Sequence, residues 1–258
     1  MNRINQLFQT KKEKILSIYF TAGFPAIQDT ETIIRTLAHE GADLIEIGMP
    51  FSDPLADGPV IQKSSQIALE NGMTLRLLFE QISCIRKHTQ IPLILMGYLN
   101  PVLQYGMENF LKKCWEIGID GCILPDLPLK VFKSEYLELF QKYQVSNVFL
   151  ISPQTSSERI REIDNLSDSF IYVVAASSIT GARNKFEDYQ LAYFQKIRNM
   201  KLKNPSIIGF GISNRETFDI ACEYASGAIL GSAFVKALQA EGGNLETRIQ
   251  TFIKPLCE

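Results

Sequence analysis

An α/β fold of the (β/α)8 barrel class follows from three observations: eight short apolar, β-branched runs, amphipathic stretches between them, and a recurring helix–Gly–strand junction. The runs are LSIYF near 16–20, DLIEIG at 43–48, IPLILMGY at 91–98, DGCILPD at 120–126, NVFLI at 147–151, FIYVVAA at 170–176, SIIGFG at 206–211 and GAILG at 227–231. The junctions HEGADLIEIG (39–48) and WEIGIDGCIL (115–124) echo one another, as repeated βα units of a parallel sheet should. Eight such units in about 250 residues is the size of a TIM barrel. No Pro/Gly/Ser-rich linker or shift in composition divides the chain, so residues 1–258 read as a single domain, with a short extra N-terminal helix before the first strand. A doubly wound open sheet competes, but it calls for G-x-G-x-x-G after the first strand, which YFTAGFP does not supply.

Helix boundaries carry their own signals. Asp29 opens a stretch with Ile33, Ile34, Leu37 and Ala38 on one face, and the stretch stops at Gly41. Thr155 with Glu158, and Ser213 with Glu216, fit the S/T-x-x-E capping box.

Composition narrows the function. With 46% hydrophobic and 21% charged residues, the chain has the make-up of a globular protein rather than a disordered one. A net charge of −2, with no long Lys/Arg run, offers nothing to a nucleic acid. No apolar stretch approaches the length of about 18 residues that a membrane span needs, and MNRINQLFQTKKEK lacks an apolar signal core. No membrane association and a cytoplasmic location are therefore expected. The cysteines, Cys84, Cys114, Cys122, Cys222 and Cys257, are scattered without C-x-x-C and read as small buried hydrophobes in a reducing compartment. The histidines, His39 and His88, lie in helix-like segments away from the Gly-rich turns, so no multi-His metal site is expected. Acid–base chemistry falls to carboxylates, Tyr or Lys.

Barrels carry their active sites at the carboxyl ends of the strands. Glu46, inside LIEIG, shares a strand face with Leu44 and is buried or lines a cavity; it is either a proton shuttle of raised pKa or a structural carboxylate paired with a neighbouring Lys or Arg. The loop PFSDPLADGP (50–59) carries Asp53 and Asp57, and Asp57 can curl back over the same strand end or lie in a solvated acidic turn. Two Gly-rich turns, GFGIS (209–213) and GSA (231–233), follow the seventh and eighth strands, where barrels frequently hold phosphate. Tyr172 faces inward with Phe170 and Val174, as an active-site or a core tyrosine, and Ser177 to Asn184 is a small, polar run suited to folding over a ligand. No lysine falls inside a predicted strand, as a Schiff-base aldolase requires, and no carboxylate/His cluster suggests a metal.

TAGFP, GADLIEIGMPFSDPLADGPVIQ, MGYLNPVLQYG, GIDGCILPDLP, SPQTSSERI, IYVVAASSITGAR, IGFGIS and GAILGSAFV, in this order, resemble the tryptophan synthase alpha chain family over about residues 17 to 237. The resemblance implies a (β/α)8 barrel that cleaves indole-3-glycerol phosphate to indole and glyceraldehyde 3-phosphate by a retro-aldol reaction. It implies Glu46 as the catalytic glutamate, Asp57 as the second catalytic carboxylate and Tyr172 as the active-site tyrosine. Gly181, Gly211, Gly231 and Ser232 fall at phosphate-contacting positions, and Tyr19 and Met96 line the indole pocket. The loops PFSDPLADG and SSITGAR match those that close over substrate and face a beta chain, with Asp53, Pro54 and NPVLQYG as the candidate interface. The implied assembly is a tetramer of two alpha and two beta chains. No cofactor is expected in this chain, and pyridoxal phosphate is expected in the partner. Three positions depart from the family's pattern: Phe24 stands where Asp is common, and Ala175 and Ser178 replace Ser and Gly. A regulatory barrel that binds phosphate ligands and activates a partner is the rival reading. A sugar-phosphate isomerase or epimerase is a second, opposed by the remoteness of both histidines.

Overall fold

The protein is described by a computed structural model over residues 2–175 and 186–257. Nine strand segments form one parallel sheet: β1 (Ile15–Thr21), β2 (Leu44–Gly48), β3 (Leu93–Met96), β4 (Gly121–Ile123), β5 (Ser146–Asn147), β6 (Phe149–Ile151), β7 (Ile171–Val174), β8 (Ser206–Gly209) and β9 (Gly227–Leu230). Their order is β5-β4-β3-β2-β1-β9-β8-β7-β6. The two ends of that order are consecutive in sequence, with Val148 alone between them. The first half of 146–151 pairs with β4 and the second half with β7, so this one strand closes the sheet into a barrel. The nine segments are thus the eight predicted strands, the fifth divided between its neighbours.

Burial on both faces explains the apolar runs. Leu16, Ile18 and Phe20 of β1 are fully covered, as are Leu44, Ile45 and Ile47 of β2, because helices pack outside while side chains fill the interior. The helix Asp29–His39 buries Ile33, Ile34 and Leu37, with Ala38 only half-buried. Helix starts differ by one residue from expectation. Asp29 is the first helical residue rather than the cap. Ser156, not Thr155, caps Ser157–Leu166 by accepting from the Arg159 amide, and Asn214, not Ser213, caps Arg215–Tyr224 with Thr217 completing the box. The helix Asp188–Asn199 lies after the segment outside the described residues, where Ser178, Thr180 and Gly181 fall.

The expected N-terminal helix, Arg3–Thr10, closes the amino end of the barrel. Ile4 reaches the space beside Gly121, and Phe8 packs on Phe170 with ring centroids 5.6 Å apart. Asp120 latches it there: its buried carboxylate meets Arg3 at 3.1 Å and Arg86 at 2.7 Å, and accepts from the Leu93 amide. The barrel is therefore stoppered at one end and open to chemistry at the other. The cysteines split: Cys114 and Cys122 are buried as expected, but Cys84 and Cys257 are exposed, because they sit on outer helical turns. Among the described residues, no helix is long and apolar enough to cross a membrane.

Candidate active site

At the carboxyl end of the strands, seven of the expected residues line a single cleft: Tyr19, Asp57, Met96, Tyr172, Gly211, Gly231 and Ser232. Pro59, Val60, Ile61, Phe210, Ile212 and Ile229 complete its apolar wall. Two tyrosines lie flat against the barrel because two glycines admit them. A Cβ on Gly48 would collide with the Tyr19 hydroxyl, and one on Gly209 with the Tyr172 hydroxyl. Tyr172 also meets Phe210 edge-on at 6.1 Å. Burial raises both phenols above their ordinary value, Tyr19 further by the Asp57 charge and Tyr172 by that of Glu46, so both hydroxyls keep their protons.

Glu46 stands apart from the cleft wall. It is completely buried in β2, two residues below the strand end, between Tyr19 and Ile94 in register. Ser17 of β1 donates to its Oε1 at 2.9 Å, while Oε2 has no partner among the described residues. Burial pushes its carboxyl up to about 8, against the lowering pull of the Ser17 hydrogen bond, and among the described residues no cation offsets it. The stability consequence has a definite sign. The carboxyl titrates from 4.5 in the open chain and near 8 when folded, so the folded chain holds a proton that the unfolded chain has released. The resulting destabilisation is absent at acid pH, grows as pH rises between the two values and is complete above the higher one. Glu46→Gln should therefore raise the melting temperature by on the order of 5 °C in mildly alkaline buffer and by little in acid, which thermal scans across that range measure.

Asp57 is half-buried on the loop after β2. Tyr98, at the end of the third strand run, donates to its Oδ2 at 3.1 Å and accepts from the Ala56 amide at 2.9 Å. The Tyr98 ring leans on Phe51, centroids 5.2 Å apart, so one side chain pins the loop at two places. Burial pushes the Asp57 carboxyl up to about 6, with Tyr98 opposing. Tyr98→Phe should cost about tenfold in turnover and move the Asp57 limb of the pH profile upward, as steady-state rates over pH would record. Tyr98 and Ser17, which hold the two candidate carboxyls, are residues that sequence reasoning passed over. Each carried a signal: Tyr98 lies in MGYLNP at a strand's carboxyl end, and Ser17 is a small polar residue inside LSIYF.

The turn after β8 is built on two left-handed residues, Phe210 (φ 71°) and Gly211 (φ 81°), the first unusual for a side chain of that bulk. It turns Gly211 and Ile212 into the cleft. Gly231 precedes the helix Ser232–Leu238, whose first amides have no partner within the helix. Two backbone-rich turns thus face the cleft from β8 and β9. Gly181 lies outside the described residues. Asp53 is exposed and outside the cleft, with Ser52 donating to it. Phe24 is buried in the core, where an aspartate would need a partner. Ala175 is buried, its carbonyl accepting from the Gln190 amide nitrogen at 2.9 Å. Among the described residues, no group of three or more His, Cys, Asp or Glu gathers to hold a metal ion.

The sequence profile of the family described as "Tryptophan synthase alpha chain" matches residues 5–256. The chain belongs to the tryptophan synthase alpha chain family. It is 60% identical over 242 residues to the tryptophan synthase alpha chain of Flavobacterium psychrophilum, covering 94% of this chain and 95% of that one. The Flavobacterium johnsoniae alpha chain is 58% identical over 253 residues, with 98% of each covered. Among solved structures, the tryptophan synthase A-subunit of Pyrococcus furiosus superposes with a TM-score of 0.87 at 34% identity, over 96% of this chain and 99% of that chain. A tryptophan synthase complex from the same organism superposes with a TM-score of 0.86 at 33% identity, over 96% and 99%. Membership of the family implies a lyase activity.

Proposed function

We propose that the chain cleaves indole-3-glycerol phosphate to indole and glyceraldehyde 3-phosphate, as one domain over residues 1–258 in the cytoplasm. The observation that supports this best is a pair of carboxyls of raised pKa, Glu46 and Asp57, with no cation beside them among the described residues, at a cleft with two backbone-rich turns. In this reading the phosphate is held by main-chain amides near Gly211, Gly231 and Ser232, together with Gly181, and the ring lies among Tyr19, Met96 and Tyr172. Neutral Glu46 gives its proton to indole C3. Positive charge develops on the ring, and Asp57 faces the ring N–H and stabilises it. Glu46, now ionised, takes the proton of the hydroxyl on the adjacent side-chain carbon. The C–C bond breaks, its electrons return to the ring, indole leaves, and the hydroxyl carbon becomes the aldehyde. Glu46 ends protonated, ready for the next cycle. Burial supplies the raised pKa that lets one carboxyl act in both directions near neutral pH.

Free indole needs a consumer. The beta chain, with its pyridoxal phosphate, fills that role in a tetramer of two alpha and two beta chains. Leu55, 83% exposed at the tip of the Asp53 loop, and Leu103 of the NPVLQYG segment, 47% exposed, are apolar anchors suited to such an interface. Indole release by the purified chain, with and without its beta chain, tests the reaction. Release that accelerates on adding the partner is expected, and ligand binding without any release would instead favour the regulatory barrel.

A further inference from the structure

The inward face of β1 departs from what a barrel interior calls for. Branched apolar side chains normally fill it, yet here it carries Ser17, Tyr19 and Thr21, all buried, while Leu16, Ile18 and Phe20 face the helices. Thr21 is accounted for by Ser64 at 2.6 Å, and Tyr19 by the cleft. Ser17 is left. Its neighbours in register, Leu44 and Ile229, offer no acceptor, and its hydroxyl donates to Glu46 Oε1 at 2.9 Å. The other oxygen of that carboxyl, Oε2, has no partner among the described residues. A buried hydroxyl at a position suited to valine or isoleucine is a local conflict of the kind that marks function.

We propose that Ser17 is a positioning residue for the proton transfer: by holding Oε1, it makes Oε2 the oxygen that carries the transferable proton. The proposal rests on the reading of Glu46 as proton donor. A donor on Oε1 leaves that oxygen carbonyl-like in the neutral acid, so the proton resides on Oε2. The same bond strengthens when Glu46 ionises, which favours giving the proton up. Among the described residues, the ionisable groups around the carboxyl are Tyr19 of β1, Tyr172 of β7 and, beyond the tyrosines, Asp57; Ile94 on β3 adds none.

Ser17→Val and Ser17→Thr form the decisive pair, because they differ in one hydroxyl for one methyl. Ser17→Val should move the alkaline limb of kcat/KM, and the infrared titration of the Glu46 carboxyl, upward by about one pH unit. It should lower kcat by about tenfold with KM changed less than about twofold, as misplacement of a reacting group does. Ser17→Thr should restore both, and Ser17→Ala, which cannot overpack, should behave as the valine variant does. An unmoved titration in the valine and alanine variants, or a threonine variant as impaired as the valine one, overturns the proposal. The infrared band, assigned by its loss in Glu46→Gln, reads the contact without turnover. Full turnover in Glu46→Gln would overturn the donor assignment instead, so the two failures are distinguishable.

Discussion

Glu46→Gln should reduce indole release by about 10⁴-fold or more, because in the proposed reaction the same carboxyl both donates to C3 and later accepts the hydroxyl proton, and each step of that kind contributes about 10²–10⁴. The amide matches the carboxyl in size and keeps an oxygen for Ser17, so the barrel and its cleft remain. Calorimetric binding of an indole-propanol phosphate should stay within a few-fold of the parent, since neither the amides that grip phosphate nor the ring pocket involves residue 46. Loss of turnover without loss of binding is the signature of a group used in the transition state. Parent-like turnover in this variant refutes the assignment. The gain in thermal stability expected of the same variant makes the contrast sharper: one substitution should remove the reaction and strengthen the fold.

Asp57→Asn carries the second-largest effect. In the proposed reaction the carboxylate faces a ring nitrogen that gains positive charge, and removing such a preorganised partner costs about 10²–10³ in rate. The pH profile gives the more diagnostic result. Asp57 must be ionised and Glu46 protonated, so kcat/KM of the parent should rise through about 6 and fall through about 8. In the asparagine variant the acid limb should vanish while the alkaline limb persists. A profile that keeps both limbs would assign the acid limb to another group.

The barrel was legible because its strands announce themselves: branched apolar runs such as LILM and IYVV, each preceded by a turn, admit few other readings. The division of the fifth strand was not, since pairing of 146–147 with β4 and of 149–151 with β7 depends on partners far off in sequence. Helix caps missed by one residue where two candidates adjoin, Thr155 beside Ser156 and Ser213 beside Asn214, and the choice falls to loop geometry. That Asp57 and Tyr172 line the cleft was legible through position and motif. Tyr98 and Ser17 were missed because their roles are bonds between separate strands and loops, and a hydroxyl's partner 29 or 41 residues away leaves no trace in local pattern. The depth of Glu46 was half visible: alternation gave its face, but not that it sits below the cleft rather than on it.

The paired fit of Gly48 with Tyr19 and of Gly209 with Tyr172 couples positions that evolution or an engineer would otherwise vary separately. Any side chain gained at 48 or 209 must be matched by a shorter neighbour at 19 or 172, so these sites should change in tandem along a lineage. Read in reverse, trimming either phenol vacates a recess already walled by hydrogen, and a substituted heterocycle wider than indole could be housed there without rebuilding the strand.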